Sequence, residues 1–115
     1  MATAKDFVAR IDKIEGVAGC LLMKTDGTLI DQTLEDAATY ASLMAAGRKE
    51  ADSLMRMIGC SDCQHICFGR ADSSDFYVFP IENFMLGIVQ QTNCDTSDML
   101  DTVYGLIDRV STRRK

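Results

Sequence analysis

One stretch, VAGCLLMK at Val17–Lys24, constrains the fold more than any other. It has the length of a strand, yet Cys20, Leu21, Leu22 and Met23 follow one another with no polar residue between them. Side chains along a strand point alternately to opposite faces. An unalternating apolar run therefore fits a strand covered on both faces. "TDG" at 25–27 is a tight-turn signal, and TLIDQT at 28–33 reads as the returning strand of a hairpin.

The flanking segments supply the cover. Residues 3–15 read as an amphipathic helix, with Phe7, Ile11 and Ile14 at spacings of four and three and Val8 beside them. Thr3 is its candidate cap, with Asp6 three residues on, and Gly16 its stop. Residues 34–58 carry the longest helical pattern: Tyr40, Met44, Gly47, Ala51, Leu54 and Ile58, widened by Ala37, Leu43 and Met55, with Gly59 ending it. Strand candidates follow at 64–70, Phe76–Ile81 and 84–91. Pro80 sits near the end of the second, where a missing donor is tolerated. Residues 95–113 close the chain as a helix with the stripe Leu100, Val103, Ile107 and Val110; Asp95, Thr96 and Ser97 are candidate caps. The predicted order is α-β-β-α-β-β-β-α. Hairpin-linked strands make a five-stranded, mostly antiparallel sheet, and three helices need more than one sheet face. The expected fold is therefore α/β (α+β), a three-layer α/β/α sandwich.

A length of 115 residues suits a single domain over 1–115, with Arg113, Arg114 and Lys115 as a frayed basic tail. A net charge of −5 disfavours nucleic acid and anionic membranes as partners. "MATAKDFVAR" lacks the apolar core of a signal peptide, and no apolar run is long enough to insert into a membrane. A cytoplasmic location is expected. There, five cysteines read as free thiols, metal ligands or redox groups rather than disulfides. Met23, Met44, Met55 and Met85 read as core filling, whereas Met57 and Met99 fall off the main stripes and suit an interface.

The segment IEGVAGCLLMKTDGTLI at 14–30 resembles the Roadblock/dynein-light-chain family: a helix end, Gly-Val, a Gly two residues later, a hydrophobic strand, then Asp-Gly before the next strand. Its fold-defining positions are Gly16, ending a helix; Gly19, leaving room where a helix crosses the sheet; Asp26 and Gly27, making the hairpin; and Gly59, ending the long helix. The order of elements matches nearly the whole chain, and the bare single domain resembles the bacterial members. The resemblance implies a non-catalytic binding module, a homodimer or heterodimer, that serves small Ras-like GTPases or other signalling proteins. It also implies that the long helix and the following edge strand meet their counterparts across a two-fold axis. The chain offers compatible surface there: Ala38, Ala41 and Ala45, small enough for a close helix; Arg48 and Asp52 one turn apart; and Gln64, His65, Ile66, Cys67 and Phe68 along the edge. A purely structural subunit of a larger complex is a further alternative.

CSDCQHIC at 60–67 holds three of the five cysteines and the only histidine. In the leading reading Cys60 and Cys63 flank a turn, Cys67 is a small buried strand residue, and no cofactor is bound. The alternative is a zinc or iron–sulfur site drawing on Cys60, Cys63, His65 and Cys94. On a straight strand Cys63 and Cys67 would stand roughly 13 Å apart, too far to share one ion at about 2.3 Å per sulfur. A third reading makes Cys60/Cys63 a redox pair. It is opposed by Asp62 and by the negative helix end just before Cys60. His65 reads as a satisfied structural or interface residue.

No enzyme is expected. With one histidine any Ser–His or Cys–His site would need His65, and no Walker A or G-x-G-x-x-G run is present. Arg48, Arg56 and Arg70 are the candidates for an arginine acting on a bound GTPase.

Overall fold

The computed structural model describes residues 4–59, 65–69, 74–92 and 95–112, excepting the side chains of 110–112. Eight elements follow in the expected order: α1 (Ala4–Asp12), β1 (Val17–Lys24), β2 (Leu29–Gln32), α2 (Ala37–Ile58), β3 (Ile66–Phe68), β4 (Phe76–Ile81), β5 (Phe84–Gln90) and α3 (Thr96–Thr112). The five strands form one sheet in the order β2-β1-β5-β4-β3, with every pairing antiparallel.

The unbroken apolar run of β1 is explained by its place second from the edge, between two layers of helix. Cys20 and Leu22 point into a core built with Val8 and Ile11 of α1 and Met99, Val103 and Ile107 of α3. Leu21 and Met23 point the other way, into a core with Met44 of α2 and Phe76, Val78, Met85 and Val89. Burial of each such side chain contributes about 1.5–3 kcal/mol, so both layers are tied to the same central strands. Met99, expected at an interface, is 1% exposed in the α3 core.

Turns follow local chemistry. Gly27 takes φ 98°, and the Asp26 carboxylate accepts from the Thr28 N–H at 2.9 Å, closing the β1–β2 hairpin. That bond, with the Thr28 side chain next, holds the Asp26 carboxyl below its ordinary value. Asp95 caps α3, its Oδ1 accepting from Asp98 N–H at 3.1 Å. Helix α1 ends at Asp12 rather than residue 15, so Gly16, at φ 101°, shapes the turn into β1 instead of stopping the helix, whereas Gly59 at φ 77° closes α2.

Three further details depart from the sequence reading. Helix α2 begins at Ala37 rather than residue 34, because the preceding side chains are engaged elsewhere. The Thr33 hydroxyl accepts from Cys20 N–H at 2.9 Å and donates to the Asp12 carboxylate at 2.8 Å, while Leu34 packs over Gly19. Gly19 therefore makes room for this connecting segment. The glycine that admits a helix is Gly87, where a Cβ would lie 2.8 Å from Met44 Sδ. Strand β3 spans three residues rather than 64–70. Phe68 already pairs with Phe76, the first residue of β4.

Candidate interaction surface

Helix α2 is 22 residues long, yet only Ala37 and Met44 are buried. In proteins most helical stability comes from tertiary packing of an amphipathic face. Its half-buried residues, among them Arg48, Ala51 and Met55, continue the sheet-facing line. Off that line lie large apolar side chains that the described residues leave exposed: Leu43 is 39% exposed, Leu54 60%, Ile58 74% and Met57 81%. Leu29 is the other large apolar side chain so exposed among the described residues. The sequence reading placed Leu43, Leu54 and Ile58 in the core stripe; the structure leaves them outside it.

Contacts orient this surface. A Cβ at Gly47 would meet Phe68 Cζ at 2.7 Å, so β3 lies directly against that side of α2. The Tyr40 ring packs, tilted by 46°, with its centroid 4.7 Å from that of Phe76 of β4, on the same side. At about 100° per residue, Leu43, Leu54 and Ile58 share the flank of Gly47 and Tyr40. The exposed apolar flank of α2 is thus continuous with the sheet edge formed by β3. Ile66 and Phe68 join it, packed against the α2-side core.

The other expected interface residues fall elsewhere. Ala38 and Ala45 are exposed and Ala41 is half-buried, but helical geometry sets all three, with Asp52, on the flank away from β3. Arg48 Nε lies 3.5 Å from Asp52 Oδ1. Its Nη1 is buried with no hydrogen-bond partner among the described residues. Arg56 is exposed in the last turn of α2; Arg70 lies outside the described residues.

His65 turns its ring to the opposite sheet face. Its Nδ1 shares a hydrogen bond with the Tyr104 hydroxyl of α3, and the ring packs edge-on to Tyr77 at 5.8 Å. Cys67 points to that same side. It is exposed rather than buried as expected, because it sits on the outermost strand. Partial desolvation raises its pKa, with the Tyr77 hydroxyl in hydrogen-bonding contact lowering it in part. Cys20 is fully buried, and desolvation pushes its thiol up to about 11. Neither thiol has the electropositive setting that makes a reactive thiolate.

No group of three or more potential metal ligands occurs among the described residues. Cys60, Cys63, Gln64 and Cys94 lie outside them, as do Thr3 and the basic tail. Among the described residues no helix is long and apolar enough to cross a membrane.

Comparison with solved structures places this architecture. Myxococcus xanthus MglB superposes with a TM-score of 0.83 at 16% identity, covering 96% of each chain. The Roadblock/LC7 domain from Streptomyces avermitilis gives 0.81 at 14% identity, covering 97% of this chain and 98% of that one. The gliding protein MglB from Thermus thermophilus gives 0.81 at 14%, covering 97% and 92%. At these identities the likeness is one of fold. No curated protein matches by sequence. The sequence pattern of the Roadblock/LC7 domain matches residues 3–90, from α1 through the last strand, and the chain belongs to that family.

Proposed function

We propose that this chain is a non-catalytic, homodimeric interaction module that regulates or scaffolds a small Ras-like GTPase. The observation that carries the reading is the uncovered apolar flank of α2, continuous with the edge strand β3. Exposed apolar patches of this kind mark interaction sites, and an open strand edge invites pairing. A second copy related by a two-fold axis would bring the same flank and the same edge to meet themselves. Leu43, Leu54 and Ile58 would then leave water, and β3 would find a neighbour.

Family membership supports a small Ras-like GTPase as the partner class, since the resemblance implies a binding module for such GTPases or other signalling proteins. The dimer would act by binding one nucleotide state more tightly than the other. A ligand shifts an equilibrium only by its differential affinity for the two states. Such a mechanism needs no acid, base or metal on this chain.

The test is binding to a panel of small Ras-like GTPases, each loaded in turn with GDP and with a non-hydrolysable GTP analogue. The expected result is at least one member bound with clear preference for one nucleotide, and that binding lost in a Leu54→Glu/Ile58→Glu variant. Binding that ignores both the nucleotide and the substitutions would contradict the reading.

A further inference from the structure

The sheet face opposite α2 carries a second surface. Where the end of α1 lies beside α3, a groove of about 790 Å³ opens between them. Arg10, Lys13 and Arg109 stand around it, and all three are exposed or half-buried at its rim. Its apolar part is formed by Ile14 and Leu106. No carboxylate is among the described residues that line it. In a chain of net charge −5, three cations around one apolar-floored groove are a local reversal of sign.

Gly105 adds an independent observation. It lies in the interior of α3 and lines the groove. A Cβ at this position would meet nothing within 4 Å. Packing within this chain therefore does not require glycine, although glycine in a helix interior costs about 1 kcal/mol relative to alanine. Gly47 and Gly87 differ, since each admits a neighbour that a Cβ would strike. A bare backbone facing an open groove fits close approach by something from outside the chain.

We propose that this groove seats an acidic, amphipathic helix of a partner protein, with its apolar residues on Ile14 and Leu106 and its carboxylates against Arg10, Lys13 and Arg109. The size agrees. A helix about 10 Å across and rising 1.5 Å per residue fills 790 Å³ with about two turns. That is enough to present apolar anchors one turn apart with acidic residues beside them. Arg10 and Lys13 are themselves three residues apart, matching carboxylates so spaced. The net charge of −5 opposes binding to an anionic lipid surface. This site is separate from the α2 flank, so the module would hold two partners at once on opposite faces of its sheet.

The test uses a short stapled helical peptide presenting two Glu one turn apart beside two Leu, titrated into the isotope-labelled full chain. The expected result is amide shifts concentrated at Arg10, Lys13, Gly105, Leu106 and Arg109. Affinity should fall with added salt and be about tenfold weaker in Arg10→Glu/Arg109→Glu. Both positions are exposed, so that variant should melt with the wild type. Gly105→Ala should melt higher than wild type and bind the peptide more weakly. Shifts confined to α2, affinity unmoved by charge reversal, or a Gly105→Ala variant that binds as well as wild type would each overturn the proposal. So would binding to phosphatidylglycerol vesicles in preference to the peptide.

Discussion

Gly87 sets how closely α2 approaches the sheet, and its replacement by alanine gives a sharp prediction. The new methyl carbon would lie 2.8 Å from Met44 Sδ, 2.9 Å from Leu21 Cδ2 and 2.9 Å from Phe76 Cζ. To regain an ordinary contact of 3.4 Å, each neighbour must retreat by about 0.5 Å in a close-packed interior. All three are essentially inaccessible, at 0%, 0% and 1% exposure, so no single side chain can swing into solvent. Overpacking of this kind costs about 1–3 kcal/mol. The stiffer unfolded chain of alanine returns about 0.5–1 kcal/mol, leaving a net loss of about 1.25 kcal/mol at the middle of the two ranges. Urea unfolding at fixed protomer concentration should show the midpoint falling by about 0.6 M, for a slope of about 2 kcal/mol/M. Met44→Ala alone should cost about 2–5 kcal/mol through the cavity it opens. Combined with Gly87→Ala, the total loss should be less than the sum of the two, because one vacates space the other fills. A Gly87→Ala midpoint at or above wild type, or strict additivity with Met44→Ala, would refute the packing argument.

The remaining predictions concern the thiols. Cys67, exposed on β3, should be alkylated by N-ethylmaleimide in the folded protein, whereas Cys20, buried and protonated, should react only on unfolding; peptide mass mapping distinguishes them, and equal labelling would contradict the burial. Alkaline stability follows from the same group. Folding raises the Cys20 pKa from 9.0 to about 11, so the folded state holds that proton harder. The associated stability is complete below pH 9 and is lost as pH rises toward 11. Tyr77, raised from 10.0 to about 12 by desolvation and then by Cys67, acts in the same direction at higher pH. Thermal melting across the alkaline range, from about pH 8 to about pH 11, should show the fall, and Cys20→Ala should flatten its first part; a profile unchanged by that substitution would count against it.

Strands covered on both sides were the most legible part of the sequence. Val17–Lys24 and Phe76–Ile81 end where apolar character and turn residues place them, because burial on two faces leaves no room for a polar residue. Periodicity was less informative along α2. An apolar residue packed on its own sheet and one left bare on the adjoining flank recur at the same interval. Met44 and Leu54 are read alike, although one is buried and the other 60% exposed. The excess width of the stripe was the available signal, since a helix lying on one sheet needs only its central line. Gly19 and Gly87 show a related limit: each admits a close neighbour, but which neighbour depends on chain crossings that no local pattern encodes. The groove of Arg10, Lys13 and Arg109 joins opposite ends of the chain, and only the folded topology brings them together.

The central claim is that the bare flank of α2 and the β3 edge form the seam of a homodimer. Native mass spectrometry of the wild type beside the Leu54→Glu/Ile58→Glu variant tests it most directly. Both positions are largely exposed, so the variant should keep its fold, verified by circular dichroism. The account predicts a wild-type species at twice the 12.7 kDa protomer mass and a variant at the protomer mass. A wild type that remains at the protomer mass at micromolar concentration, or a variant that stays dimeric, would contradict it.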